Sequence, residues 1–217
     1  MDLQLRPSGT KGPVAVSLPA FESYYASEAE VWELLALTRA RVVWATSDGF
    51  RLAAQQAIET ALRRPREART TAVEVAAMRE LMRQERPPGG FWDMKLSDGG
   101  LVDIEFCAQF LQLIHAPTGG PLRQNTLEAL GALEAAGAAP AQTLQPLAGA
   151  FRLQQNLSQL MKVALPEGAD PSTEPKGLRS LMALAAETAR FAGVRKNVNA
   201  ARDAATAAFG RLLATQA

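Results

Sequence analysis

Alanine occupies 41 of the 217 positions, and this is the feature that most restricts the fold. Alanine has the highest intrinsic helix propensity, whereas the aromatic residues, which favour strands, make up only 6% of the chain. Apolar residues make up 47% and charged residues 21%, which is the balance of a globular protein. The composition therefore predicts a folded, mostly helical chain.

Charge, cysteine content and the first residues exclude several classes of protein. The chain carries 23 Lys and Arg against 22 Asp and Glu, so it lacks the strong positive charge of a dedicated nucleic-acid binder. The single cysteine, Cys107, has apolar neighbours that predict a buried structural thiol rather than a nucleophile. No apolar stretch is long enough to span a membrane, and no signal peptide is evident. We therefore expect a cytoplasmic protein that binds neither nucleic acid nor membrane.

Apolar residues at spacings of three and four predict a series of helices joined by short turns, the pattern of an antiparallel bundle. Ser17 is the expected N-cap of the first helix, with Pro19 in its first turn. Asp48-Gly49 and the segment Pro87 to Gly90 are expected to interrupt the helical pattern. Residues 21–25 and 29–40 give two successive apolar stripes, and further helices are expected over residues 52–62, 67–84, 101–115, 123–137, 140–164 and 177–215. The balanced charges of the 67–84 helix indicate a solvated face.

The first six residues alternate between apolar and polar side chains, which is typical of a short β-strand. Asp2 and Arg6 then share one face, and a turn at Pro7-Ser8-Gly9 ends the strand. A carboxylate beside a glycine turn suits a metal–nucleotide site, with Asp2 as a Mg²⁺ ligand and Arg6 near phosphate. Backbone N–H groups at Ser8 and Gly9 could cradle the phosphate. The alternative is a surface Asp–Arg ion pair on an edge strand.

A second group of candidate residues consists of Lys95, Gly99 and Gly100, which precede an apolar helix. Paired glycines let another backbone or a ligand approach closely, and the first N–H groups of a helix carry partial positive charge. The alternative is an ordinary helix start with acidic residues in its first turn. Asp103 and Glu105 are two residues apart, so one is expected at a cap or in solvent and the other at an interface.

Two further features have mainly structural interpretations. Trp32-Glu33 with Arg39 and Arg41 predicts a packing anchor and ion pairs along one helix, and contact with the site beside Asp2 is the alternative. His115 is the only histidine and is expected to complement the carboxyl end of its helix, because no second His or Cys accompanies it as a metal ligand.

Taken together and in this order, these motifs resemble the glutamine synthetase adenylyltransferases. Asp2 to Gly9 are similar to the signature Asp-x-Arg-Leu-Arg-Pro-Ser-Gly of that family. Trp32-Glu33 and Arg39-Ala40-Arg41 are similar to its next helix. Asp93 to Phe106 follow its motif Asp-x-Lys-x-x-x-Gly-Gly-(Leu/Ile)-Val-Asp-Ile-Glu-Phe throughout. The PII uridylyltransferases share a looser Gly-Gly-Leu-Arg-Asp version.

Family members resemble a tandem of two halves, one attaching AMP to glutamine synthetase and one removing it. Pro7-Ser8-Gly9 and Val102-Asp103 resemble the attaching, carboxyl-terminal half, whereas the removing half tends to have Pro-Phe-Gly and Arg-Glu at these positions. Two departures stand out. Gln4 replaces an arginine of the signature strand, and Leu34 with Leu35 replaces a more polar pair.

The resemblance implies a mostly α fold: a helical bundle preceded by a truncated remnant of a polymerase-β-like nucleotidyltransferase α/β domain. The implied domains are the remnant (1–46), connecting helices (47–86) and the helical bundle (87–217). The family's first two metal carboxylates lie in an upstream segment that this sequence lacks. We therefore expect a carboxyl-terminal fragment that is inactive alone.

The implied reaction is AMP transfer from ATP to a tyrosine of glutamine synthetase, with Mg²⁺ as cofactor. Asp2 would be the catalytic and metal-binding carboxylate. The expected nucleotide-binding residues are Arg6, Ser8, Gly9, Lys95, Gly99 and Gly100. Further expected partners are the PII signal protein and the effector glutamine. The alternative function is a non-catalytic helical module that docks glutamine synthetase or PII, or senses glutamine.

Overall fold

The computed structural model describes residues 12–166 and 168–215, which form nine α-helices and no β-strand. The helices are α1 (Leu18–Ser27), α2 (Val31–Leu37), α3 (Asp48–Leu62), α4 (Ala68–Glu85), α5 (Leu101–His115), α6 (Thr126–Ala135), α7 (Ala141–Ala164), α8 (Lys176–Ala185) and α9 (Val194–Ala214). The prediction of a mostly α protein is confirmed. The expected strand falls within residues 1–11, outside the described residues, so the nucleotidyltransferase remnant stays a prediction.

The chain divides into two compact units, and each is assembled from two separate stretches of sequence. The first unit comprises the described residues up to 75 together with 108–138, and the second comprises 76–107 together with the described residues from 139 onward. This division rests on contacts within the fold. The expected domains at 1–46, 47–86 and 87–217 stay a prediction.

Local capping determines where the early helices begin. The Ser17 side chain accepts a hydrogen bond from the Ala20 N–H at 3.3 Å, which confirms the predicted N-cap. The expected interruption at Asp48-Gly49 is wrong, because these residues form the first turn of α3. Ser47 is the N-cap and accepts from the Phe50 N–H at 3.1 Å, so α3 begins four residues earlier than expected.

The expected single helix over 177–215 is also wrong, because α8 ends at Ala185 and α9 begins at Val194. Glu187 adopts a left-handed conformation with φ 53°, and the Thr188 N–H donates to the Ala183 carbonyl at 2.9 Å. This is a Schellman-type helix end, which usually carries glycine at the left-handed position. Glutamate stands there instead, so the usual local signal is missing.

Each unit has its own packing arrangement. In the first unit α3 packs against α1 and α2. In the second unit the long α7 packs against α8 and α9. The buried side chains of the second unit's core come from the loop before α5 and from all three of these helices: Met94, Leu157, Met182, Ala183, Ala186, Val194 and Val198. That loop therefore belongs to the hydrophobic core of its unit.

Candidate functional site

The predicted site residues fall in two places. Asp2, Arg6, Ser8 and Gly9 lie outside the described residues. Lys95, Gly99 and Gly100 lie between α4 and α5. They belong to a segment that we call the Gly-Gly turn (residues 93–103), which includes the first three residues of α5. The geometry of the candidate site is therefore the geometry of this turn.

Asp93 organises the beginning of the Gly-Gly turn. One carboxylate oxygen accepts from the N–H groups of Lys95 and Leu96, both at 2.9 Å, and the other accepts from the Gly89 N–H at 3.1 Å. The Asp93 carbonyl accepts from the Ser97 hydroxyl at 2.7 Å. An aspartate that binds its own backbone two and three residues on stabilises a tight turn. The Lys95 side chain is left exposed to solvent.

The two glycines are required by close packing. Gly99 has φ +67°, and a Cβ there would lie 2.7 Å from both the Cα and the carbonyl carbon of Arg202 in α9. A Cβ on Gly100 would lie 2.6 Å from the Ser97 carbonyl oxygen. The Gly99 carbonyl also accepts from the buried side-chain amide of Gln154 at 2.8 Å. No other residue fits at either position without movement of the backbone.

The N–H groups just before α5 and at its first residue donate to acceptors within the turn. The Gly99 N–H donates to the Asp103 carboxylate at 2.6 Å, and the Gly100 N–H donates to the Ser97 carbonyl at 2.8 Å. The Leu101 N–H donates to the Met94 carbonyl at 2.8 Å. Asp103 therefore has the capping role that was expected of one of the two acidic residues. Close packing and the capping hydrogen bonds thus explain why glycine is needed at these two positions. Nucleotide binding by Lys95, Gly99 and Gly100 stays a prediction.

A buried ion pair joins the Gly-Gly turn to α4. The Arg79 side chain is 0% exposed, and its Nε donates to the Asp103 carboxylate, which is 1% exposed. Its Nη2 donates to the Leu96 carbonyl at 2.8 Å. The predicted solvated face of this helix is therefore wrong at Arg79. Buried charges persist in folded proteins only when they are paired and hydrogen-bonded, so this pair is a structural requirement of the turn.

A second buried arginine joins the turn to α9. Arg202 is 9% exposed, and its Nη2 donates to the carbonyls of Phe91 at 2.9 Å and Asp93 at 3.0 Å. Burial lowers the pKa of the Arg202 guanidinium, and the Asp93 charge opposes this effect. Three helices thus hold the turn through Arg79, Gln154 and Arg202.

Sequence reasoning missed these three residues, although two of them carry a signal. Arg79 follows Val75 by four residues, on the buried stripe of α4, and Arg202 follows Val198 by four residues, on the buried stripe of α9. A long cationic side chain at an apolar position of a helix indicates a buried partner. Gln154 carries no comparable signal.

Cys107 is buried as predicted, at 2% exposure. Burial raises the pKa of its thiol, and the Asp103 charge raises it further. A raised pKa suppresses the thiolate, which is the nucleophilic form. The structural interpretation of this cysteine is therefore confirmed.

In the first unit, Glu33 is a charged residue that is buried, at 4% exposure. Both of its carboxylate oxygens accept from the Tyr24 hydroxyl, at 2.8 and 2.7 Å, and one accepts from the Glu30 N–H at 3.0 Å. The expectation that Glu33 shares one helix with Arg39 and Arg41 is wrong, because α2 ends at Leu37. Glu33 instead closes a capping box at the start of α2.

Neither a metal centre nor a membrane span is found in the part of the chain that the structure describes. No three His, Cys, Asp or Glu side chains come together there as metal ligands. No described helix is long and apolar enough to cross a membrane.

Comparison with known proteins gives two family matches, which overlap. Residues 1–82 match the family model of glutamate-ammonia ligase adenylyltransferase. Residues 65–164 match that of GlnD PII-uridylyltransferase.

Curated relatives match almost the whole chain. The bifunctional glutamine synthetase adenylyltransferase/adenylyl-removing enzyme of Caulobacter vibrioides is 59% identical over 96% of this chain and 21% of that protein. The proteins of the same description from Rhodopseudomonas palustris strain TIE-1 and Bradyrhizobium diazoefficiens are 40% and 37% identical, each over 98% of this chain. They are covered over 22% and 21% of their own length. The chain thus spans about a fifth of the length of these relatives.

Proposed function

Because the chain belongs to the glutamate–ammonia ligase adenylyltransferase family, we propose that it is part of an enzyme that transfers AMP from ATP to a tyrosine of glutamine synthetase. The observation that carries this proposal is the 59% identity to a bifunctional adenylyltransferase over 96% of the chain. Within that protein the proposed role is in the attaching half, since Pro7-Ser8-Gly9 and Val102-Asp103 follow that half's motifs.

The environment of residues 102 and 103 supports the assignment to the attaching half. Val102 is 4% exposed, so the arginine that the removing half tends to carry here would place a charge in an apolar setting. Asp103 reaches both Arg79 and the Gly99 N–H, and this contact depends on the length of the acidic side chain. The Gly-Gly turn is therefore built for the Val-Asp version of the motif.

Asp2 is the proposed catalytic and metal-binding residue, with Arg6, Ser8 and Gly9 near the phosphates. Magnesium ions, when bound, would neutralise charge on the transferring phosphate. In this proposal Asp2 would act with other carboxylates of the intact enzyme, since magnesium takes oxygen ligands from carboxylates and from the substrate phosphates. In this proposal the helices support and orient the site, and the 217-residue chain has no transferase activity alone.

A second candidate is a helical module that docks glutamine synthetase or the PII signal protein, or binds glutamine. The observation that favours it is the described part itself, which is built of helices. The two proposals are compatible, because helices that support a catalytic site can also bind regulators.

The decisive experiment uses a chimera in which this chain replaces the corresponding fifth of the Caulobacter relative. Incorporation of radiolabelled AMP into glutamine synthetase is measured for the chimera, for its Asp2→Asn variant, and for the isolated chain. We expect labelling by the chimera, loss of at least about 100-fold in the variant, and none from the chain alone. Asp203→Asn, at an exposed position of α9, is the matched control and keeps the chimera's activity.

A chimera that folds and does not label glutamine synthetase contradicts the adenylyltransferase proposal. Labelling by the isolated chain contradicts its expected inactivity. Binding of glutamine synthetase or PII by the isolated chain, measured by calorimetry, would support the docking module.

A further inference from the structure

The first unit contains a cleft of about 800 Å³ that none of the predicted site residues line. Its walls come mainly from the end of α2 and the segment that follows it, from α3, and from the segment between α5 and α6. Four of its lining residues are charged: Arg41, Glu59, Arg63 and Arg123. We propose that this arginine cleft binds a small molecule that carries a phosphate group on an apolar body.

Arg63 holds two walls of the cleft together. Its Nε donates to the Glu59 carboxylate at 2.7 Å, so this pair is neutral overall. Its Nη1 donates to the carbonyls of Ala116 at 2.9 Å and Gly120 at 3.3 Å. The guanidinium therefore joins α3 to the segment after α5 and fixes the width of the cleft. The role of Arg63 is therefore structural.

The segment that carries Arg123 is held firmly. A Cβ on Gly120 would lie 2.6 Å from the His115 carbonyl oxygen, so the backbone turns back closely on the end of α5. The Arg123 N–H donates to the side chain of the buried Gln112 at 2.6 Å. The Arg123 side chain, in contrast, is exposed and donates one hydrogen bond, to the neighbouring Leu122 carbonyl. Its backbone position is thus fixed while most of its donors are available.

Arg41 provides the second available charge. Its side chain is exposed and makes no hydrogen bond or ion pair with the residues that the structure describes. Three arginines and one glutamate give the cleft a net charge of +2. Because Arg63 and Glu59 pair, this charge resides on Arg41 and Arg123.

The chemistry of the cleft matches a phosphate monoester. Such a group carries a charge of about −1.5 to −2 at neutral pH, and planar guanidinium groups bind it through paired hydrogen bonds. The lining also includes Leu37, Ile58 and Leu62, which supply an apolar surface for the rest of the molecule. The cleft volume lies within the range of about 300–1,000 Å³ that is usual for small-molecule sites.

The test is calorimetric titration of the 217-residue chain in EDTA, so that no metal contributes. The probes are phenyl phosphate, inorganic phosphate, and phenylacetate, which presents a carboxylate on the same ring. We expect phenyl phosphate to bind most tightly, and phenylacetate to bind at least about tenfold more weakly. Equal affinity for phenylacetate would overturn the assignment to phosphate. Absence of saturable binding of phenyl phosphate below about 10 mM would overturn the site itself.

Substitutions of single arginines test whether phenyl phosphate binds in the arginine cleft. Arg41→Gln and Arg123→Gln are each expected to weaken phenyl phosphate binding about tenfold or more, and both positions are exposed, so circular dichroism should show an unchanged fold. Arg69→Gln, at an exposed position of α4 in the same unit and away from the cleft, is the matched control and leaves affinity unchanged. Loss of binding in Arg6→Gln with none in Arg41→Gln would place the ligand elsewhere and overturn the proposal. The readout is metal-free binding, so it is independent of whether the AMP-transfer chimera is active.

Discussion

Replacement of Gly99 by alanine tests whether close packing of the Gly-Gly turn against α9 holds the second unit together. Alanine at this position would have to adopt φ +67°, which costs about 1–2 kcal/mol for a residue with a Cβ. Its Cβ would also lie 2.7 Å from the Cα and carbonyl carbon of Arg202, and a real Cβ does not come that close. Relief of such an overlap costs about 1–3 kcal/mol. The free energy of unfolding should therefore fall by about 2–5 kcal/mol.

The loss of unfolding free energy in Gly99→Ala depends on whether the atoms next to the new Cβ can move. The atoms that the new Cβ would meet belong to the backbone of a long helix, and Arg202 is further held by its bonds to Phe91 and Asp93. A flexible side chain could rotate away, whereas a helix must shift as a body. Hence we expect the variant also to weaken the Gln154 hydrogen bond to the Gly99 carbonyl.

The assay is urea unfolding followed by far-ultraviolet circular dichroism, with Gly210→Ala as the matched control. Gly210 lies in α9 with open space around its Cβ position, so alanine there should stabilise the helix by about 1 kcal/mol. The two Gly→Ala changes should thus shift the unfolding midpoint in opposite directions. A midpoint for Gly99→Ala equal to or above that of the unchanged protein would refute the packing argument.

Three further predictions concern buried groups. Asp103→Asn removes the buried partner of Arg79 and leaves only the exposed Asp98 carboxylate, 3.7 Å away, so it should lower the free energy of unfolding by about 3–5 kcal/mol. The exposed Asp203→Asn should change it by less than about 0.5 kcal/mol. Similar urea midpoints for the two variants would show that the ion pair does not hold the turn. Because burial raises the pKa of Cys107, its thiol should react with Ellman's reagent at pH 8 only after unfolding, and rapid reaction of the native chain would contradict its burial. Burial, together with the charges of Glu33 and Tyr24, raises the pKa of Tyr25 to about 12 from 10.0. The folded state therefore retains the phenolic proton of Tyr25, and the free energy of unfolding should fall as the pH rises from about 10 through 12. Tyr25→Phe should lessen that fall when both proteins are unfolded with urea over this pH range. An equal fall in the two proteins would count against this account.

Features that depend on neighbouring residues could be predicted from the sequence. α5 begins at Leu101 and ends at His115 as expected, because the glycines before it and the apolar periodicity within it act locally. Ser17 was identified as an N-cap for the same reason. The motif from Asp93 to Phe106 indicated the family, and the curated relatives agree with it.

Features that depend on distant residues could not be predicted in this way. The break between α8 and α9 has glutamate at its left-handed position, and the Asn197 side chain from α9 donates to the Ala186 carbonyl at 3.0 Å. In the sequence, Arg79 is one of several charged residues on a helix whose charges balance. Only the folded structure shows that it pairs with Asp103.

The sequence by itself determined that this chain is helical, where most of its helices lie and to which family it belongs, because propensity, capping and motif spacing act between near neighbours. Only the tertiary structure decided why the paired glycines are needed and which charges are buried. It also decided that Arg41 and Arg123 line one cleft. Those outcomes depend on which remote segments the hydrophobic core brings together, and burial in a low-dielectric interior decides whether a charge must have a partner.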